Sequence, residues 1–227
     1  MNSKSGRGAY CDFHLYTTRS GGSYTAEELV KACVKEGNIR AISITDRKAV
    51  CSKSQLISLS ETYQVKMIPG VELPCVYTLA MGKQKEISIV GYHVDPEHPN
   101  LQEVLKETRW PLSFYRACQA ILASGGVPVL AHLYHYQGLD DWDRDLLVKD
   151  FAQCTRGRGG MEVLCAGYDE QQRQKLAETA RYYHLVPSAG SGFCREGEGI
   201  CLNNRFPMTI CEGLEAKWLE NRNQIKL

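Results

Sequence analysis

Residues 10–16 read Tyr10-Cys11-Asp12-Phe13-His14-Leu15-Tyr16, an apolar segment that carries an aspartate and a histidine two positions apart. Its apolar character predicts a buried β-strand over Tyr10–Leu15. Carboxylate and imidazole groups are common metal ligands, and a histidine at position 16 would complete the metal-binding pattern D-x-H-x-H. Position 16 is tyrosine instead. The segment therefore predicts a strand end built for a metal site that lacks one of its ligands.

Short apolar runs alternate with helical patterns along the rest of the chain. The predicted strands are residues 10–15, 39–44, 65–73, 87–94, 127–133, 160–165 and 186–190. The predicted helices are residues 25–36, 54–63, 100–109, 112–124, 141–154 and 169–183, the first with a capping box formed by Thr25 and Glu28. Strands separated by helices predict parallel pairing, because parallel neighbours need long crossovers. Seven such strands fit a barrel or a doubly wound sheet.

Composition favours one globular domain. The 227 residues are 43% hydrophobic, and 27 Lys+Arg nearly balance 26 Asp+Glu, so we expect no large nucleic-acid or membrane-binding surface. Ten cysteines without a C-x-x-C pair, and a start without a signal-like apolar stretch, predict reduced thiols and a cytoplasmic location. We expect a disordered polar N-terminus at 1–8, a single barrel domain at 9–215 and a C-terminal tail at 216–227.

Polar side chains lie at, or just after, the carboxyl ends of five predicted strands. These residues are His14, Asp46, Glu72, His132 and Ser191. The carboxyl ends of parallel strands meet at one edge of a barrel or sheet, so we expect these side chains to share a site. Taken singly, Glu72 could cap a turn and His132 could be a hydrogen-bonded core residue. Taken together, His14, Glu72 and His132 form a set that suits zinc, manganese or iron.

Several segments resemble, in order, those of the polymerase and histidinol phosphatase (PHP) family. The nearest likeness is to its nucleoside 3′,5′-bisphosphate phosphatases, which also trim short RNAs. The matching pieces lie within residues 12–18, 20–22, 25–30, 44–46, 68–73, 87–92, 129–132 and 190–194. The resemblance implies a distorted (β/α)7 TIM-like barrel that binds up to three divalent metals and hydrolyses phosphate esters. A helical insertion usual in that branch is missing, because only residues 100–126 occupy its place.

Carried over position by position, the resemblance implies three metal sites with ligands replaced. The first would use His14, Glu72 and positions 16 and 192, which are Tyr16 and Gly192. The second would use Glu72, His132 and position 88, where the family has histidine and this chain has serine. The third would use positions 21, 47 and 194, where aspartate and two histidines are replaced by Gly21, Arg47 and Cys194. We therefore expect a reduced number of metals, or none.

Arg47 and Lys48 stand where the family has a histidine and an aspartate. Arg47 could bind a phosphate oxygen directly, or it could pair with Asp46 or Glu72 in the place of a metal. We favour the ion pair, because buried acids need a partner. Cys194 could at best supply a thiolate ligand, and Asp46 lies near the remaining ligands. Cys194 as a nucleophile would need an adjacent base that the sequence does not show.

Three functions remain open at this point. The chain is a weak phosphoesterase with one or two metals, a non-catalytic relative that binds a phosphorylated ligand through Arg47 and Lys48, or a protein-interaction scaffold. The expected partner is a small phosphorylated molecule. Nucleic acid beyond a short oligonucleotide and membrane are not expected.

Overall fold

A computed structural model describes residues 9–195 and 205–224, which form a mixed α/β structure. Strands β1 to β10 are Tyr10–Leu15, Ile39–Ile44, Lys66–Met67, Gly70–Thr78, Gln84–Tyr92, Leu112–Ser113, Val127–Leu130, Gly160–Cys165, Val186–Gly190 and Phe206–Pro207. Helices α1 to α7 are Ala26–Gly37, Lys53–Tyr63, Pro99–Leu105, Phe114–Ala123, Asp141–Thr155, Glu170–Tyr182 and Thr209–Gln224. The predicted N-terminal segment 1–8 lies outside the described residues.

The strands form two sheets whose edges lie beside each other. One sheet has the order β10-β1-β2-β3 and the other has the order β6-β4-β5-β7-β8-β9. Backbone bridges between Leu15 and Phe193 and between Arg47 and Glu72 connect the two sheets beyond the ends of β1 and β2. These bridges bring the carboxyl ends of β1, β2 and β9 to the start of β4, where Glu72 is the third residue and not the strand end that the sequence predicted.

Strand β5 runs antiparallel to both of its neighbours, β4 and β7. The sequence predicted parallel pairing throughout, and this is wrong for β5. The physical reason is the connection between β4 and β5, a short 3₁₀ turn around Ala80–Gly82. A segment of this length joins antiparallel strands, whereas a parallel pair needs a crossover of a dozen or more residues. The other long neighbours, β1 with β2, β7 with β8 and β8 with β9, are parallel as predicted.

Local sequence signals account for most element boundaries. The capping box of α1 is present, with Glu28 accepting from the backbone of Thr25 and Thr25 accepting in return. The predicted strand at 65–73 is divided into β3 and β4, because Pro69 has no amide hydrogen for a sheet ladder. The predicted strand at 127–133 ends at Leu130, and His132 has a left-handed backbone conformation with φ 56°. That conformation turns the chain out of the sheet.

Helix α7 packs its apolar residues Ile210 and Leu214 into the core next to β7 and β9. Farther along α7, Trp218 stacks on the His93 ring, with ring centroids 4.8 Å apart. Helix α7 continues through residue 215, where the sequence predicted the boundary between the barrel domain and a C-terminal tail. That boundary remains a prediction. None of the helices in the described residues is long and apolar enough to cross a bilayer.

The stacked His93 gives the fold a defined response to acid. Burial lowers the pKa of His93 from 6.5 to about 4. The unfolded chain binds this proton at a higher pH than the folded chain, so stability is lost as the pH falls from 6.5 towards 4. We expect His93→Asn, which suits the left-handed backbone, to reduce this loss by on the order of 1–2 kcal/mol. Chemical denaturation at a series of pH values measures it, and His98→Asn, which retains a helix cap, should keep the wild-type slope.

Candidate metal centre

A buried pair formed by His14 and Glu162 lies at the base of the site. Nδ1 of His14 is 2.9 Å from Oε1 of Glu162, and neither side chain has exposed surface. The close approach of β9 to β1 depends on Gly190, since a Cβ there would lie 2.1 Å from Cβ of His14. Burial alone would lower the pKa of His14, but the Glu162 carboxylate raises it above its ordinary value. Glu162 therefore holds the ring with Nδ1 as a donor and Nε2 directed away from it.

The same carboxylate also positions His132. Oε2 of Glu162 accepts a hydrogen bond from the backbone N–H of His132 at 2.9 Å. The imidazole rings of His132 and His14 stack, with centroids 4.3 Å apart. Burial and the neighbouring His14 lower the pKa of His132 to about 4. The His132 ring is therefore neutral at physiological pH, the form in which an imidazole binds a metal.

Glu72, near the start of β4, is the third member of the group. Its side chain is fully buried, and Oε2 lies 3.0 Å from Nε of the partly exposed Arg47. Its other oxygen, Oε1, is buried and has no hydrogen-bond partner. Although burial raises the pKa of Glu72, the neighbouring His14, His132 and Arg47 side chains together outweigh burial and leave that pKa lowered. Glu72 is thus an ionised carboxylate with one oxygen still available.

We call His14, Glu72 and His132 the tripod. One ligand atom from each lies within 4.8 Å of the other two, and this is the one such group of potential ligands among the residues that the structure describes. Ligands that share an ion at about 2.1 Å lie no more than about 4.2 Å apart. The three ligand atoms would therefore have to move closer together to share one ion. The donor types and the unpartnered Glu72 oxygen fit one divalent ion.

Tyr16 occupies the side of the tripod where the D-x-H-x-H pattern has its second histidine. Its hydroxyl is 2.8 Å from Nε2 of His14, and the guanidinium of Arg47 lies 5.4 Å from the centre of its ring. Burial, followed by the charge of Glu72, raises the pKa of Tyr16 well above 10. The tyrosine therefore remains a neutral hydrogen-bonding group, and its hydroxyl has to move for a metal to reach Nε2.

The other predicted site residues take different positions. Both oxygens of Asp46 accept hydrogen bonds from Thr17, at 2.8 Å to its N–H and 2.6 Å to its hydroxyl, so Asp46 braces the loop after β1. Arg47 forms the expected ion pair with Glu72. A cavity of about 300 Å³ above the tripod is lined by Tyr16, Ser20, Arg47, His132, His135, Cys165, Ser191, Gly192 and Cys194. Lys48 lies instead in a neighbouring cavity.

Glu162 was not predicted as a site residue from the sequence, and Asp12 was predicted only as part of a pattern. Glu162 is the single charged residue in the apolar strand Gly160–Cys165, and that isolation was the available signal. Oδ1 of Asp12 accepts from the backbone N–H of Ser191 at 3.0 Å, and this contact fixes the end of β9 against β1. Burial raises the pKa of Asp12 to about 6. Glu162 contacts His14 and His132 directly, and Asp12 holds the backbone next to them.

Comparisons with known sequences give one relative that matches nearly the whole chain. No family model matches. The 5′-3′ exoribonuclease Rnm of Escherichia coli is 35% identical over 281 aligned positions, covering 91% of this chain and 92% of the relative. Shorter matches join this chain to a 5′-3′ exoribonuclease of Haemophilus influenzae (39% over 77 residues, 34% of this chain and 27% of the relative) and to Rnm of Salmonella typhimurium (34% over 99 residues, 42% of this chain and 31% of the relative).

Solved structures of related shape share the fold. An amidohydrolase from Chromobacterium violaceum superposes with a TM-score of 0.74 at 17% identity, covering 92% of this chain and 96% of its own. A proposed metal-dependent phosphoesterase from Bifidobacterium adolescentis gives 0.72 at 16% identity, covering 93% and 96%. A two-domain protein from Bacteroides vulgatus that contains a predicted PHP-like metal-dependent phosphoesterase gives 0.59 at 15% identity, covering 92% and 62%. The chain therefore has the same fold as these three proteins.

Loss of the Glu162 carboxylate should be costly. In Glu162→Ala, His14 loses its buried partner and the N–H of His132 is left unsatisfied, so we expect a loss of about 3 kcal/mol in the free energy of unfolding. Urea denaturation measures it. Glu178→Gln, an exposed change on α6, should stay within about 0.5 kcal/mol of wild type. A loss below about 1 kcal/mol in Glu162→Ala would contradict the structural role of the pair.

Proposed function

The chain belongs to the family of the Escherichia coli 5′-3′ exoribonuclease Rnm, and from this premise we propose that it is a phosphoesterase with a single divalent ion held by the tripod. The ion is manganese, zinc or iron. The substrates are small phosphate esters or the ends of short RNAs, hydrolysed more slowly than by relatives with a complete ligand set. The proposal includes a (β/α)7 barrel without the usual helical insertion, and a cytoplasmic location.

One observation carries the proposal. One ligand atom each from the imidazoles of His14 and His132 and from the Glu72 carboxylate lie within 4.8 Å of one another. The buried Glu162 carboxylate fixes the orientation of the His14 ring. A carboxylate that accepts from the second ring nitrogen of a ligand histidine is the common support of protein metal sites. Burying the Glu162 charge costs several kcal/mol, so this pair is not explained by core packing alone. When bound, a divalent ion polarises a phosphoryl oxygen and lowers the pKa of water.

The residues of the chain supply the remaining chemistry. Glu162 keeps Nδ1 of His14 protonated and leaves Nε2 for the ion. Arg47 uses Nε for Glu72, and its side chain is 57% exposed, so its remaining N–H groups are available for two oxygens of a phosphate. Lys48 adds a second positive charge next to it. Arg47 and Lys48 together favour an anionic substrate over a neutral one.

A second candidate function is phosphate binding without turnover. The specific observation in its favour is that the Arg47 guanidinium and the Tyr16 hydroxyl already contact Glu72 and His14. An arginine paired with the buried acid supplies positive charge without an ion. In this alternative, a phosphorylated ligand is held by Arg47 and Lys48 over a tripod that contains no metal.

Metal content separates the two functions. We expect protein purified without chelators to contain about one manganese, zinc or iron per chain. His132→Asn should lower the affinity for manganese by more than about 100-fold, because a ligand itself is lost. His184→Asn is the matched control, since both histidines have φ 56° and asparagine tolerates that conformation. Elemental analysis and manganese titration measure the effect.

Turnover of p-nitrophenyl phosphate, bis-p-nitrophenyl phosphate and a short 5′-phosphorylated RNA should accompany that metal. No stoichiometric metal, no thermal stabilisation by manganese and tight binding of inorganic phosphate would instead support the second candidate. Absence of both metal and phosphate binding would leave the fold as a scaffold for another protein.

Restoring the replaced ligands should raise activity. The triple variant Tyr16→His, Arg47→His and Gly192→Asp rebuilds the positions that the family resemblance assigns to metals. A Cβ at Gly192 meets nothing within 4 Å, and its φ of +67° is one that aspartate tolerates. We expect manganese-dependent hydrolysis of p-nitrophenyl phosphate to increase at least about 10-fold, since ligand supports commonly change metal affinity by that factor or more.

The control for the restored variant is the same triple change combined with His132→Asn. The hydrolysis rate of that protein should remain at or below that of the parent, because the His132 ligand is missing. An equal rise with and without His132 would show that the added histidines act somewhere other than at this centre.

A further inference from the structure

A second cavity of about 430 Å³ lies beside the tripod, and Arg47 lines both spaces. The second cavity, which we call the Trp110 cavity, is also lined by Lys48, Glu86, Ser88, Trp110 and Tyr136. Its volume falls in the range of small-molecule sites. Because Arg47 lines both spaces, a ligand whose phosphate binds Arg47 lies next to this second cavity.

Trp110 provides a fixed flat wall in the cavity. Its indole N–H donates to the backbone oxygen of Glu107 at 2.7 Å, so the orientation of the ring is set by the fold. Nζ of Lys48 lies 4.6 Å from the centre of the indole. The ring is only partly buried. A partly exposed indole that lines the cavity, with its polar atom already satisfied, is a surface on which a planar group can stack once the Lys48 ammonium moves to the edge of the ring.

Polar groups for the edge of such a planar group line the same cavity. The Tyr136 hydroxyl accepts from the N–H of Ser88 at 2.9 Å, which fixes the tyrosine. Glu86 is exposed and offers a carboxylate acceptor, and Lys48 offers a donor. A wall of aromatic surface with a few donors and acceptors is what a nucleobase requires, whereas a phosphate or a bare sugar phosphate has no use for the indole.

We propose that the Trp110 cavity binds the nucleobase of a nucleotide whose phosphate lies between Arg47 and the tripod, with the base stacked on Trp110. The proposal rests on the proposed function, because the tripod is taken as the place of the scissile phosphate. It assigns base recognition to Trp110, in the loop between α3 and β6. The base would be selected by stacking and by Glu86 and Lys48.

The test compares two ligands that differ in the base. Adenosine 5′-monophosphate and ribose 5-phosphate are titrated by calorimetry into the full-length protein, with and without chelator. We expect the nucleotide to bind at least about fivefold more tightly, the factor that stacking of one base commonly gives. Trp110→Leu should abolish this preference, and Trp110→Phe should retain part of it. Trp142→Leu, at a tryptophan on α5 that is 72% exposed, should leave the preference unchanged.

The outcomes are separable from those of the proposed function. Equal affinities for the two ligands, no measurable nucleotide binding, or a preference that survives Trp110→Leu in a protein that melts like wild type would each overturn the base site. The metal content of the wild-type protein decides the tripod independently. If the protein contains no metal but still prefers the nucleotide, the proposal of a base site stands and the proposal of a single-ion phosphoesterase is wrong.

Discussion

The buried Glu162 carboxylate holds one imidazole and one backbone amide at the meeting point of three strands. Its oxygens contact Nδ1 of His14 and the N–H of His132, so the ends of β1, β7 and β8 are tied to a single charged group. Burial alone would raise the pKa of Glu162, but the charges of His14 and His132 lower it to about 2. The group therefore stays ionised under all physiological conditions, and the orientation of the tripod depends on it.

A buried carboxylate of this kind lowers the stability of a core relative to an apolar side chain of the same size. Its position explains its presence, because an acceptor at this point keeps Nδ1 of His14 as the donor and leaves Nε2 on the side of Tyr16. The same reasoning applies to Tyr16 and Arg47. Tyr16 contacts Nε2 of His14 and Arg47 pairs with Glu72, so both residues of the tripod have partners within the protein.

Much of the architecture was predictable because local signals and apolar periodicity agreed. The capping box of α1 and the strands Tyr10–Leu15, Ile39–Ile44, Gly160–Cys165 and Val186–Gly190 lie where the sequence placed them. The direction of β5 was not predictable from periodicity, since an apolar strand reads the same in either direction. Only the length of its connection to β4 and the pairing with both neighbours fix it as antiparallel.

The sequence by itself determined the class of fold, the family likeness and the three residues His14, Glu72 and His132, because each stands at a predicted strand end where side chains of barrels and open sheets converge. The tertiary structure decided the rest. Glu162 is 148 residues from His14 along the chain, and Trp110 reaches the cavity of Arg47 from a different part of the fold. Contacts between such distant residues depend on how the strands pack and not on any pattern within a window of sequence, so they became visible only when the chain was folded.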